Sequence, residues 1–455
     1  MIEAWAEARP NDLALLSAGQ AWTVRALQER VAAYAAWLQR DAAPDRPIAF
    51  VARPDPWVVA LIWAAIRVGR VVLPLHPRWP EAERAGLLQR LPPTTFLVAD
   101  PDPPAGQAAA AQVPGTAPLA WFGTSGSTGQ AKAVELSRDA FFAAARAYQE
   151  RIPQRPDDRW WLGLPLSHVG GFSILIRAAF GRVPVVLAPA FDADTFCAEL
   201  EVQGATLVSM VPTMLRRLLP RRPPPQLRVV LLGGASAAPE LLDEARALGW
   251  PVHTTYGLTE AAAMVTLQGP GERGHDAGRP LSGNRVEVRE GRIHVAGPTL
   301  LSRYVGEGAP PTPVEGGWLD TGDLGTLDAQ GRLWVHARRQ DLILRGGENV
   351  YPGEVERVLE RAPGVRAACV YGVEDREWGQ RVAAALWVGP GFSGSGLALW
   401  LEGRLAKFKW PVEVAVLQHW PELSLGKPDR AAIRRIAEGQ RVPLLEAVSP
   451  AGALD

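Results

Sequence analysis

Two cysteines in 455 residues, Cys197 and Cys369, leave no material for a disulfide framework. The expected compartment is therefore a reducing cytoplasm. Net charge is missing as well. Lys+Arg 48 balances Asp+Glu 48, which excludes broad electrostatic binding to nucleic acid or to an anionic membrane surface. Long apolar runs are absent. The stretch Trp57 to Ile66 stops at Arg67, well short of the ~20 residues a membrane span needs. The opening residues, Met1-Ile2-Glu3-Ala4-Trp5, carry neither a basic segment nor an apolar signal core. Lysine is the scarcest charged residue: of the basic residues 44 are arginine and only four, Lys132, Lys407, Lys409 and Lys427, are lysine. What is present, 47% apolar and 21% charged residues, is the composition of an ordinary globular protein. The length allows two to four domains or subdomains at roughly 150 residues each.

The lysine shortage is informative. Where any positive charge suffices, arginine has taken the position. The surviving lysines are candidates for sites that need a compact ammonium on a thin stem. Chance survival is the plainer alternative for any one of them.

Helical spacing over Val24 to Arg40 is followed by strand patterns at Arg46 to Ala52 and Arg70 to Leu75, with a helix expected between them over Pro56 to Val68. This is the βαβ grammar of a layered α/β domain. A Pro/Ala/Gly-rich loop, Asp100 to Pro118, leads to a short strand at Leu119 to Phe122. Further βα units are expected at Arg228 to Leu232, Ala238 to Leu248 and Val252 to Thr255. From Asn284 to Val335 the pattern turns to short alternating strands with Gly turns, an antiparallel β subdomain. A compact α+β module follows Asp341. Its expected helices run from Gly353 to Glu360 and from Leu397 to Ala406. Its expected strands lie near Ala367 to Val373, Val382 to Val388 and Val412 to Leu417. Ala337 to Asp341 is the candidate hinge.

Thr124-Ser125-Gly126-Ser127-Thr128-Gly129 follows the strand at Leu119, and Lys132 comes three residues later. Glycines let successive N–H groups point inward as an anion-binding nest. Four hydroxyls and one of four lysines complete a set suited to a polyphosphate. The run does not fit the Walker pattern, because Ala131 rather than Gly precedes Lys132. No nucleophile elbow overlaps it. A flexible turn is the bland alternative.

This run resembles the phosphate-binding motif of the adenylate-forming superfamily, which includes acyl- and aryl-CoA ligases, luciferases and peptide-synthetase adenylation domains. Further motifs resemble that family in family order over residues ~120 to 430. Leu164-Pro165-Leu166-Ser167-His168 is similar to its acyl-pocket motif, and Gly233-Gly234-Ala235 to its adenine-side loop. Tyr256-Gly257-Leu258-Thr259-Glu260 is similar to its Y-G-x-T-E motif, and Thr321-Gly322-Asp323 to its T-G-D motif. Arg338-Arg339-Gln340-Asp341 resembles its hinge. Gly346-Gly347-Glu348-Asn349-Val350-Tyr351-Pro352 follows at the family's spacing, and Leu425-Gly426-Lys427 resembles its C-terminal lysine motif.

The resemblance implies a large N-terminal α/β domain (1–337, with the β subdomain at about 280–337), a hinge at 338–341 and a small, mobile α+β C-terminal domain (342–455). It implies an ATP- and Mg²⁺-dependent ligase that makes an acyl-adenylate and then a CoA thioester. Nucleotide-binding roles pass to Thr124, Ser125, Gly126, Ser127, Thr128, Gly129, Lys132, Gly233, Gly234, Ala235, Tyr256, Gly257, Thr259, Asp323 and Arg338. Glu260 becomes the metal ligand, since Mg²⁺ takes hard oxygens and keeps waters. Asp323 would accept the ribose hydroxyls. His168 and Gly257 would line the acid pocket, with His168 also counted as catalytic. Lys427 would stabilise charge in adenylation, Gln340 would serve the hinge, and Gly346 and Gly347 would let the backbone approach CoA. Plainer roles stand beside these: a solvated helix-start acid for Glu260, a turn residue for Asp323, core packing for Tyr256 and a satisfied structural histidine for His168. Lys409 is expected to be structural and Lys407 a surface charge.

The chain departs from the family pattern at Ala131, Ala133, Gly123, Ala337 and Gln340, where proline, glycine, tyrosine, glycine and an acidic residue or lysine are common. The replacement at Gly123 is expected to alter packing behind the phosphate loop. Within the superfamily the segments Leu164 to Gly171 and Arg338 to Pro352 resemble the o-succinylbenzoate–CoA ligase group of menaquinone synthesis. That acid has a second, unactivated carboxylate, and burying it unpaired would be costly. Arg177, nine residues beyond His168, is its candidate partner. The alternative is a solvent-facing helix arginine. Other aryl- or fatty-acyl-CoA ligases, or a stand-alone adenylation domain loading a carrier protein, remain open. The expected partners are a carboxylic acid, ATP and CoA, with no nucleic acid and no membrane span. A homodimer is left open.

Overall fold

The computed structural model describes residues 2–41, 46–79, 81–106, 112–125, 131–188, 191–338, 341–345, 348–375, 378–423 and 428–447. The chain divides into two compact units. The first takes in Met1–Glu287, His294–Asp320 and Leu327–Leu333; the second takes in Val288–Ile293, Thr321–Thr326 and Trp334–Asp455. Among the described residues no helix is long and apolar enough to cross a membrane.

The first unit carries a nine-stranded sheet. Six of its strands are parallel: Leu13–Ser17, Val185–Leu187, Trp160–Leu162, Leu207–Met210, Val229–Leu232 and Val252–Tyr256. A six-stranded sheet lies in the same unit. Its parallel members are Pro118–Ser125, Val72–Leu75, Ile48–Val51 and Thr95–Leu97. These strands are short, nearly continuous apolar runs, as expected where helices cover the sheet faces. Both sheets share one apolar core with the helices Val24–Asp41, Pro56–Val68, Arg138–Arg151 and Val169–Gly181.

The helix Pro56–Val68 explains the longest apolar run. Pro56 sits in the first turn, where its missing N–H costs nothing, and Gly69 ends the helix in the left-handed region at φ 78°. Val58 through Ile66 are all buried, so the run is a core helix.

Two strands near the expected β subdomain belong elsewhere. Arg303–Val305 pairs antiparallel with Ala131–Ser137 in the six-stranded sheet, and Arg279–Pro280 extends the nine-stranded one. A further five-stranded sheet includes Arg285–Arg289, Arg292–Ala296, Val314–Glu315, Trp318–Leu327 and Leu333–Arg338.

In the second unit, Gly379–Val388 pairs antiparallel with Val365–Asp375 and parallel with Glu413–Leu417. The helices are Pro352–Leu359, Gly394–Leu401 and Arg430–Glu438. Lys409 Nζ lies 2.6 and 2.8 Å from the two carboxylate oxygens of Glu354, the structural role expected of it. Lys407 is exposed.

Candidate active site

Parallel strands put their loops at a common edge, which is where open α/β sheets bind ligands. Trp160–Leu162 ends in Gly163 to His168, Val229–Leu232 ends in Gly233-Gly234-Ala235, and Val252–Tyr256 ends in Gly257 to Glu260. Three motifs far apart in sequence therefore leave the same sheet edge. Gly233 is needed there because a Cβ would stand 2.7 Å from Thr255 Cγ2, and Gly234 has φ +78°. Ala235 is exposed, and Tyr256 is buried at its strand end.

The loop after Tyr256 is tightly closed. A Cβ on Gly257 would fall 1.5 Å from the Ala263 carbonyl oxygen. Ala262 and Ala263 have φ of 49° and 88°, a backbone region costly for alanine by about 1–3 kcal/mol each. The loop presents Thr259–Ala261 as one 3₁₀ turn carrying Glu260. The Leu301 N–H donates to the Glu260 carbonyl at 2.8 Å.

The phosphate-loop sequence joins two antiparallel strands, Pro118–Ser125 and Ala131–Ser137, with Lys132 opposite Thr124. The strands that flank it are antiparallel neighbours, unlike the strand and helix that flank a Walker loop. Lys132 Nζ lies 3.4 Å from the ring centroid of Tyr304. The Tyr304 hydroxyl donates to Glu260 Oε1 at 3.0 Å. Burial lowers the Lys132 pKa and the Glu260 charge partly restores it. Burial and the same carboxylate raise that of Tyr304. Lys132 and Glu260, predicted separately, thus meet around Tyr304, which sequence reasoning missed. Tyr304 lies in no motif. Only the pairing of Arg303–Val305 with Ala131–Ser137 brings it there.

Glu260 fits the Mg²⁺ role. Its Oε2 accepts no hydrogen bond among the described residues, and Mg²⁺ typically takes one or two carboxylates beside substrate phosphates and waters.

His168 precedes the helix Val169–Gly181, its N–H donating to the Pro165 carbonyl at 3.1 Å. Its ring centroid is 5.6 Å from that of His76. Gly171 fits under the loop because a Cβ there would be 2.3 Å from the Pro165 oxygen.

Arg177 is on this helix but does not face solvent; it is 3% exposed. Its Nη1 donates to Ser173 Oγ at 3.0 Å and its Nη2 to Ser209 Oγ at 3.4 Å. The guanidinium lies over the rings of Trp160 (4.9 Å) and Tyr148 (5.3 Å). Burial pushes its pKa down to about 10, so it stays charged at neutral pH. Among the described residues no carboxylate pairs with it. Among the described residues its Nε and the buried Tyr148 hydroxyl have no hydrogen-bond partner.

Asp323 is in the second unit, buried on the strand Trp318–Leu327. Its N–H donates to Thr321 Oγ1 at 3.1 Å. Arg338 ends the strand Leu333–Arg338. Its side chain, those of Thr124 and Ser125, and all of Gly126, Ser127, Thr128, Gly129, Gln340, Gly346, Gly347 and Lys427 lie outside the described residues.

Residues 2–119 and 100–305 match the AMP-binding enzyme family, and residues 354–427 match the AMP-binding enzyme C-terminal domain. A 2–succinylbenzoate–CoA ligase of Bacillus pumilus is 31% identical over 465 aligned residues, covering 93% of this chain and 95% of that protein. The structure of o-succinylbenzoate CoA synthetase from Bacillus subtilis in complex with the acyl-adenylate intermediate OSB-AMP superposes with a TM-score of 0.88 at 29% identity. It covers 95% of this chain and 97% of that one. The same enzyme in complex with ATP and magnesium ion gives 0.87 at 28%, covering 95% and 98%. With its large multi-sheet α/β domain followed by the matched C-terminal domain, the chain belongs to the AMP-binding, adenylate-forming enzyme family.

Proposed function

We propose that this ATP-dependent, acyl-adenylate-forming acid–CoA ligase acts on 2-succinylbenzoate, as a cytoplasmic enzyme of menaquinone synthesis. The observation that carries the substrate is Arg177. A buried guanidinium without a carboxylate partner is costly. Two serine hydroxyls hold it, two aromatic faces flank it, and among the described residues nothing accepts from its Nε. The unactivated carboxylate of a dicarboxylic acid supplies the missing charge and acceptors. Relatives with this substrate in their names agree with the reading.

In the first step a carboxylate oxygen of the acid attacks the α-phosphorus of ATP, and the bond to pyrophosphate breaks. Lys132 and the 124–129 loop hold the outgoing phosphates. Lys427 stabilises charge on the transferring phosphoryl group, and Glu260 holds Mg²⁺. The metal, when bound, neutralises developing phosphate charge. Asp323 and Arg338 take the ribose, and the 233–235 loop and Tyr256 take the adenine. In the second step the CoA thiol attacks the acyl carbon and AMP leaves with the bonding pair. The hinge at 338–341, with Gln340 at its centre, lets the C-terminal domain present Lys427 in the first step and Gly346-Gly347 in the second.

The test compares two acids on one variant. Arg177→Ala should raise KM for 2-succinylbenzoate by about tenfold or more, the scale of a lost charge-assisted bond, and leave a monocarboxylic aryl acid nearly unchanged. Equal effects on both acids reject the pairing. A soluble thioester formed only with CoA present separates this activity from loading a carrier protein.

A further inference from the structure

His76 lies where the strand Val72–Leu75 ends, and it is 1% exposed. Its Nδ1 accepts the Arg78 N–H at 3.1 Å. The neutral ring therefore carries its proton on Nε2. Burial, helped by the Arg78 charge, pushes the pKa down to about 4, so the ring is neutral at working pH. The Nε2–H is then a buried donor, and no described residue accepts from it. Buried polar groups are nearly always satisfied, and the exceptions call for a ligand or a water.

The surroundings point to the ligand. The His76 ring is 5.6 Å from that of His168, which comes from the other sheet of the same unit, and 6.3 Å from that of Trp79. Trp79 in turn occupies space that Gly123 leaves open: a Cβ there would be 3.0 Å from Trp79 Cη2. Gly123 thus leaves room for the ring of Trp79, which lies beside His76.

We propose that His76 is a substrate-binding residue, whose Nε2–H donates to an acceptor oxygen of the bound acid beside His168. This rests on the reading of His168 as lining the acid pocket. A ring from each sheet then bounds the acid, one of them supplying a neutral donor whose proton stays in place across the working pH range.

Two variants separate this role from a structural one. Gln places an amide N–H near the position of Nε2. Asn places a carbonyl near Nδ1 and can accept from the Arg78 N–H. Acid-dependent ATP–pyrophosphate exchange is measured for both, with melting temperatures as a check on folding. His76→Asn should raise KM for the acid by about tenfold with KM for ATP changed less than about twofold, while His76→Gln stays within about threefold of the parent. A normal Asn variant beside an impaired Gln variant would make His76 a cap for Arg78 and overturn the proposal. So would two normal variants, which leave a water as the partner, or equal rises in both KM values. An unmodified enzyme that exchanges with no acid would defeat the functional reading itself, whereas exchange by the parent with an unaffected Asn variant defeats this inference alone.

Discussion

Tyr304 is the residue on which the two separately predicted charges depend. Its ring faces Lys132 and its hydroxyl holds Glu260. The ring contact is worth about 0.5–2 kcal/mol by general scale. Tyr304→Leu should therefore lower kcat/KM for ATP in the exchange reaction by about 3- to 30-fold, and Tyr304→Phe, which keeps the ring, by less. Equal losses would place the whole effect in the hydroxyl. Lys132 and Glu260 were legible because each sits in a run of special residue types. Tyr304 was not, since a tyrosine on a short edge strand gives no local signal and is recruited by pairing alone. His76 offers a second test at this scale. In the folded chain it takes a proton only near pH 4, against 6.5 when unfolded. Between those values the unfolded state binds more protons, so the stability that is complete above pH 6.5 is lost as the pH falls toward 4. The shift corresponds to about 3 kcal/mol. Urea unfolding at pH 7 and 4.5 should show a larger loss for the parent than for His76→Gln, and identical losses would refute the burial argument.

Adjacent glycines at the proposed acid pocket make opposite predictions for their element. A Cβ on Gly170 meets only Leu164 Cδ1 at 3.7 Å, whereas one on Gly171 meets the Pro165 oxygen at 2.3 Å. Gly170→Ala should be neutral, or stabilising by up to about 1 kcal/mol in its helix. Gly171→Ala should displace the 164–168 loop, cost about 1–3 kcal/mol and raise KM for the acid more than for ATP. Thermal melts and exchange kinetics check both. The helix Pro56–Val68 was readable to its ends because proline and glycine mark them. The helix Gly394–Leu401 was misplaced: its first turn contains Gly394 and Gly396, which read as loop, yet Ser393 caps it by accepting the Gly396 N–H at 3.2 Å. Its expected continuation to Ala406 fails at Glu402, already extended at ψ 129°, and Gly403 follows at φ +70°. The helix Arg430–Glu438 was not anticipated. Asp429 starts it by accepting the Ala432 N–H at 3.0 Å, and Arg430 fastens it to Glu356 Oε1 and the Val370 carbonyl, both at 2.7 Å.

For the molecule as a whole, the order of the motifs announced the family, but the gathering of three of them at one sheet edge required the topology. The β subdomain shows the limit: alternation identified strands, yet Arg303–Val305 joined a sheet more than 160 positions upstream, opposite Glu135 to Ala133. Alternating hydrophobicity states that a strand exists and is silent about its partner. The two-step reading assigns Lys427 to adenylation alone. Lys427→Ala should slow adenylation by about 10²–10³ and leave thioester formation from preformed acyl-adenylate within a few-fold of the parent. Comparable losses in both steps would remove the need for two arrangements of the C-terminal domain. The most direct measurement is the incorporation of labelled pyrophosphate into ATP, without CoA, in the presence of 2-succinylbenzoate, benzoate, hydroxycinnamates or medium-chain fatty acids in turn. The prediction is exchange that requires Mg²⁺ and an acid and is fastest with 2-succinylbenzoate; exchange with none of the acids, or exchange that proceeds without any acid, would contradict an acyl-adenylate intermediate.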